Sequence, residues 1–231
     1  MEDIKDYRER ELPLFVIANV LTFLIVHRFI KIDVSDLPGS FEVLSDIFVS
    51  AVLAVVAFGF ILMVECLFTS HFKERLVYLF GFWGLLSLPG CTIFSVVKKK
   101  CTDNRYTYEK FEMKYRSIYE DLPSDPRARK RYENEKWYEI YAKHRNARMI
   151  LLSQRDSLLC RDVYVSVLVM IAIYIIIVAL QVVGFHWKYF LFLTVMSVVS
   201  NIGANRNAVR LVYNVIAYDL NAPRGNKEDK E

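Results

Sequence analysis

The sequence predicts an all-α fold: a polytopic integral membrane protein with four transmembrane helices, a broken re-entrant or interfacial hairpin and a cytoplasmic helical hairpin. Three observations lead there. Of the 231 residues 54% are hydrophobic and 24% charged, with a mean hydropathy of +0.23, so the two kinds must be segregated along the chain. The apolar residues gather into runs that reach the roughly 20 helical residues needed to cross a bilayer. Finally, 27 of the 30 Lys and Arg residues fall in four segments able to share one side of a membrane. This composition excludes a disordered or collagen-like chain, and four scattered Cys residues make no disulfide scaffold.

The first span is Leu12 to Ile30, with Asn19 in its middle and His27 and Arg28 at its end, where they can snorkel to headgroups. The segment Lys31 to Asp46 then holds four acids (Asp33, Asp36, Glu42, Asp46) against Lys31 alone. The second span, Ile47 to Phe68, carries one acid, Glu65, near its end. The third, Val163 to Phe185, has no charge. The fourth, Trp187 to Ala204, comes after a short turn at Gly184 to Lys188 that brings the chain straight back.

A further apolar run, Leu76 to Val97, is long enough to span but is interrupted by Gly81, Gly84 and the pair Pro89–Gly90. Proline removes a backbone donor and clashes with the preceding turn, so a continuous straight helix is not expected. The basic segments share one side only if this run enters and leaves by the same face. A re-entrant or interfacial hairpin with its hinge at Pro89 and Gly90 is therefore expected, packed against other helices or lining a cavity. The other reading is a fifth, kinked span with the N-terminus outside. The charged start MEDIKDYRERE is no secretory signal, and no Asn-x-Ser/Thr sequon occurs.

The expected organisation is thus a membrane region at 1–97 with the hairpin at 76–97, a cytoplasmic helical insert at 98–162, a two-span hairpin at 163–204, and an amphipathic helix with a polar tail at 205–231. Both termini are expected on the cytoplasmic side of a cell (inner) membrane. The insert holds 17 basic and 11 acidic residues, net +6, and opens on Lys98, Lys99 and Lys100, read chiefly as a topology signal. Tyr108, Phe111, Tyr115 and Ile118 form one helical stripe. Leu122 to Pro126 breaks that helix and starts the next, with Ser124 or Asp125 as cap and Pro126 in the first turn. The second helix runs toward Val163 with a break expected near Ser153 to Ser157. The many aromatics of the insert are read first as packing and second as a stacking surface for nucleotides. After Asn201, Val209, Val212 and Ile216 recur on one side, a stripe expected to pack on the insert.

The motifs of nucleotide binding, zinc proteolysis and serine hydrolysis are missing, and the four His residues are far apart in sequence. The expectation is a non-enzyme with no cofactor and no metal. Polar groups at membrane depth face protein or water, which makes Asn19, Glu65, Asn201 and Asn205 candidates for a pore lining, with interhelical hydrogen bonding as the competing role. His144, Arg145, Arg148, Arg155 and Arg161 are the candidates for a partner or anion site, because the arginine fork suits phosphate and carboxylate. Pairing of Arg155 and Arg161 with Asp156 and Asp162 is the competing reading. The expected partners are the lipid bilayer, further copies of the chain and a cytoplasmic protein, without direct binding to nucleic acid.

In architecture the chain resembles the small four-span membrane proteins of prokaryotic phage-defence systems, such as the membrane subunit of the Kiwa system and the membrane accessories of some CRISPR systems. The likeness lies in four spans, soluble mass on one face and the broken segment LSLPGC, and it carries over no functional residue. It implies a cytoplasmic partner that binds nucleic acid and an output through the membrane. The function expected on these grounds is that of a homo-oligomeric sensor or effector subunit that forms or gates a pore; the alternative is an anchor or scaffold that recruits a soluble partner without conducting.

Overall fold

The computed structural model describes residues 10–27, 40–79, 89–99 and 103–222. The end of the first span, most of the acidic segment, the middle of the broken run and the polar tail lie outside the described residues. Among the described residues the regular structure is wholly helical: α1 (Glu11–Val26), α2 (Ser40–Cys66), α3 (Ser70–Leu79), a 3₁₀ turn (Pro89–Thr92), α4 (Ile93–Lys99), α5 (Tyr108–Lys114), α6 (Arg116–Glu120), α7 (Pro126–His144), α8 (Arg148–Ala179) and α9 (Trp187–Asn221). The chain divides into two compact units, an apolar one (Met1–Gly81 with Leu158–Ala204) and a charged one (Phe82–Ser157 with Asn205–Glu231).

The apolar unit is built on α8, whose Val165, Val167, Val169, Met170 and Tyr174 are buried against Leu12 and Val16 of α1, Ile61 of α2 and Leu193 of α9. Its outer faces are as hydrophobic as its core: Phe48, Val56, Phe60 and Met63 of α2 and Ile176 of α8 are each more than half exposed. Large exposed apolar surface of this kind demands a non-aqueous neighbour. Among the described residues three helices are long and apolar enough to cross a membrane: the Ile47–Cys66 part of α2, α8 and α9. At 16 residues, α1 reaches only about 24 Å, short of a hydrocarbon core of about 30 Å.

In the charged unit the pattern reverses, and hydrophobic side chains turn inward. Phe94 and Val97 of α4, Phe111 of α5, Tyr115, Trp137 and Ile140 of α7, Ile150, and Val212, Val215 and Ile216 of α9 form one buried cluster. The stripe read from Tyr108 to Ile118 faces this core, and the stripe after Asn201 enters it as the end of α9. α7 starts as its sequence requires, with Asp125 accepting a hydrogen bond from the Ala128 N–H at 2.8 Å and Pro126 at the first position. The two helices of the expected hairpin share a third element, because α4 packs on both α5 and α7.

Three boundaries differ from expectation. The break in the long second helix falls at Arg145 to Ala147, not at Ser153 to Ser157. Asn146, an exposed residue of a type that favours turns over helix interiors, sits in the break, while Ser153 stays helical with its hydroxyl bonded to the Met149 carbonyl at 2.9 Å. The third span stops at Ala179, six residues before Phe185, because Gln181 adopts φ of 58° and the Val182 N–H closes back on the Ile177 carbonyl at 3.0 Å. The end of the broken run is core of the charged unit: Ile93, Phe94 and Val97 are at most 2% exposed there. Its hydrophobicity serves protein packing, and the bend at Pro89 and Gly90 is a 3₁₀ turn against α7.

Candidate functional site

Ionised side chains removed from water need partners, and the apolar unit contains such a group. Glu65 lies at the end of α2. A turn returns the chain into α3, whose amphipathic pattern places Lys73 and Val77, four residues apart, on the buried face while His71, Phe72 and Arg75 face out. The Lys73 ammonium lies 3.4 Å from Glu65 Oε2 and 3.6 Å from Oδ1 of Asp162 on α8. One turn along α8, the Ser166 hydroxyl meets Glu65 Oε1 and lies 3.0 Å from the Asp162 carbonyl. Arg161 completes the balance with Nη2 3.1 Å from Asp162 Oδ1 and Nη1 3.9 Å from Glu74. Glu65, Lys73 and Asp162 are each at most 3% exposed. At the other end of α3, Asn201 of α9 donates to the Val77 carbonyl at 2.9 Å, satisfying a helix-terminal acceptor.

The charged unit has its own polar centre at Asp219, 8% exposed near the end of α9 and well past the Trp187–Ala204 stretch that the sequence assigns to the membrane. Its Oδ2 accepts from the Tyr115 hydroxyl at 2.6 Å and pairs with Lys114 Nζ at 2.9 Å, and its Oδ1 lies 2.6 Å from His144 Nε2. Burial alone would push the Asp219 carboxyl up; the hydrogen bonds from Tyr115, Lys114 and His144 outweigh it and hold the group below its ordinary range. Burial and the same carboxylate push the Tyr115 hydroxyl well up. Nearby, Asn214 donates to Ser153 of α8 and accepts from Arg105 Nη1 at 2.6 Å. Glu133 of α7, 1% exposed, accepts from the N–H groups of Phe94 and Ser95 at 3.0 and 3.1 Å and from the Ser95 hydroxyl, capping α4 from a distant part of the chain.

The sequence-derived candidates separate along these lines. Asn19 is buried in α1 with its amide bonded to the Phe15 carbonyl at 2.7 Å. Glu65 and Asn201 belong to the apolar unit's polar network, and Asn205 is buried at the start of the charged unit's share of α9. The five basic candidates have different surroundings. His144 is bound to Asp219, Arg161 to Asp162, Arg155 is half-buried, and Arg145 and Arg148 stand exposed at the turn from α7 to α8. The arginine–acid pairing reading thus holds at Arg161. Pro89 and Gly90 lie against α7: a Cβ on Gly90 would meet Asn134 Oδ1 at 3.0 Å and the Trp137 ring at 3.2 Å.

Lys73, Glu133, Asn214 and Asp219 organise these groups without having been singled out in the sequence. Asp219 alone carried a signal, as an isolated acid in the apolar stretch Val212 to Leu220. Chemically the arrangements hold: acids face bases and hydroxyls at bonding distance. Among the described residues no group of three or more His, Cys, Asp or Glu side chains is placed to hold a metal ion. Comparison with known proteins returns no matching family model, no matching curated relative and no matching solved structure.

Proposed function

We propose that the chain is a non-enzymatic membrane subunit that presents its charged helical unit to an acidic protein partner on the cytoplasmic side, working as a recruiting sensor or effector component. The observation that carries this reading is the exposure of Arg145 and Arg148 at the turn between α7 and α8, while Glu65 is held within the chain by Lys73 and Ser166. Conduction would have to release Glu65 from that pairing; recruitment uses the surface as it stands. The four-span topology belongs to the same proposal: the span that starts at Leu12 crosses the bilayer, the run at 76–97 returns to the face it left, and the basic excess keeps both termini in the cytoplasm. Assembly into a homo-oligomer and a setting in prokaryotic antiviral defence complete it, the latter on architectural likeness alone.

The test is affinity isolation from solubilised membranes, comparing the unaltered chain with the Arg145→Glu, Arg148→Glu double variant. A stoichiometric soluble partner lost in the variant, with membrane insertion unchanged, supports the proposal. Recovery of the same partner by both chains refutes the surface. Reconstituted liposomes that leak ions or dye without any partner would replace recruitment with conduction.

A further inference from the structure

On the inward side of α2, Ala57 stands where its neighbours are bulky, and the missing volume opens a cavity of about 230 Å³ between α1, α2, α8 and α9. Phe23 of α1, Ile173 of α8 and Phe60 of α2, the last 57% exposed, line this partly open space. The wall is apolar except for the hydroxyls of Tyr174 and Tyr189, and that of Tyr174 already accepts the His186 N–H at 2.8 Å. A water molecule needs two to four polar partners, which this wall does not supply; an apolar cavity of roughly 150 Å³ is known to stay dry and admit a benzene ring. The space here is larger, and three of its four wall helices, α2, α8 and α9, are long and apolar enough to cross a membrane. Matter of matching chemistry at that depth is lipid hydrocarbon.

We propose that this cavity is a binding site for one acyl chain of a membrane lipid, with the lipid's polar end on the side of Tyr174, Tyr189 and His186. Tyrosines favour headgroup depth, with the ring toward hydrocarbon and the hydroxyl toward polar matter. The ring of Tyr189 packs edge-on against Tyr174 at 5.1 Å between centroids, so the two make a rigid aromatic stop for the chain. Four helices contribute to the wall, so a seated chain also fills a packing defect that would otherwise weaken the unit. Specific retention results from that shape, where loose annular lipid would exchange freely.

The experiment is native mass spectrometry of the full chain, purified from membranes, stripped with excess detergent and then titrated with palmitoyl-oleoyl phosphatidylglycerol. The unaltered chain is expected to keep or regain a lipid adduct that resists stripping. Ala57→Phe, which fills the cavity, should lose it, and Val56→Phe, which adds the same bulk at a neighbouring exposed position, should keep it. Near-equal unfolding temperatures of the two variants after stripping separate lost binding from lost folding. Equal retention by Ala57→Phe and the unaltered chain overturns the proposal. So does complete stripping of the unaltered chain without recovery, or a cavity that cross-linking finds filled by a second copy.

Discussion

Lys73 and Glu65 meet at 3.4 Å with each side chain at most 4% exposed, and Lys73 also reaches Asp162 at 3.6 Å. One ammonium thus stands between two carboxylates contributed by different helices. Desolvating such charges is unfavourable by several kcal/mol per ion, and their mutual attraction with added hydrogen bonds offsets it. The pair therefore fixes where α3 sits against α2 and α8 more than it adds net stability.

Removing one member should be worse than removing both. Lys73→Met alone leaves the buried Glu65 carboxylate without its counter-charge and is expected to destabilise the apolar unit by about 3–5 kcal/mol, while Glu65→Leu alone, which leaves Lys73 beside Asp162 at 3.6 Å, should lose less. The Glu65→Leu, Lys73→Met double variant should recover much of that loss. Unfolding in detergent micelles, read as a double-mutant cycle, checks this; additive losses would mean that the two side chains do not interact. The same cycle must accompany any flux assay on Glu65 variants, since a loosened fold also abolishes the signal there.

Pattern and local chemistry made part of this molecule legible in its sequence. Asp125 and Pro126 announce the start of α7, and the uncharged run from Val163 announces a span, because caps and hydrophobic length act within a few residues. Glu65 was legible as a buried acid but not as a paired one: Lys73 looks like any lysine on an amphipathic helix until the turn after α2 folds it back. Glu133 was invisible inside a charged stretch, because its role depends on α4 arriving from 38 or 39 residues away. The stretch from Ile93 to Val97 reads as lipid-facing because burial in protein and burial in lipid select the same side chains.

Glu133 offers the clearest test of packing across the charged unit. Glu133→Ala strands the N–H groups of Phe94 and Ser95 at the buried start of α4, where each unsatisfied donor costs about 1–3 kcal/mol. Glu133→Gln keeps an acceptor and should lose much less. Chemical denaturation of both variants decides it, and equal stability of Glu133→Ala and the unaltered chain would remove Glu133 from its capping role.

The Asp219 centre makes acid sensitivity predictable. A carboxyl held below its unfolded value contributes stability that is complete above that value, near 3.8, and is lost as pH falls through the folded value. The stability difference between the unaltered chain and Asp219→Asn should therefore be full at neutral pH and shrink as the solution is taken below about pH 4. Urea titrations at pH 7 and pH 3 measure it. A difference that stays constant between those pH values would show that ionisation of Asp219 contributes nothing.

Gln181 occupies a left-handed conformation, φ 58°, at the end of α8. That conformation costs a residue with a Cβ about 1 kcal/mol relative to glycine. Gln181→Gly should stabilise the turn into α9 by up to that amount, raising the thermal midpoint. A lowered midpoint would mean that the Gln181 side chain does more than mark the end of the helix.

Gly90 separates a hinge from a packing contact. A hinge glycine tolerates a methyl group at small loss and with less freedom. Here the added Cβ would lie 3.0 Å from Asn134 Oδ1 and 3.2 and 3.3 Å from two atoms of the Trp137 ring. Asn134 can rotate away, but Trp137 is 8% exposed, and its indole N–H lies 3.4 Å from the Val212 carbonyl, so the ring has little room to yield. Gly90→Ala should therefore destabilise the charged unit by about 1–3 kcal/mol, as overpacking does elsewhere. Trimming Trp137 to Phe in the same chain should relieve part of that added loss, because the atoms in conflict belong to the indole. Unfolding of the two single variants and the double variant measures the coupling. If Gly90→Ala is neutral, the turn at Pro89 moves freely against α7 and the hinge reading regains its ground.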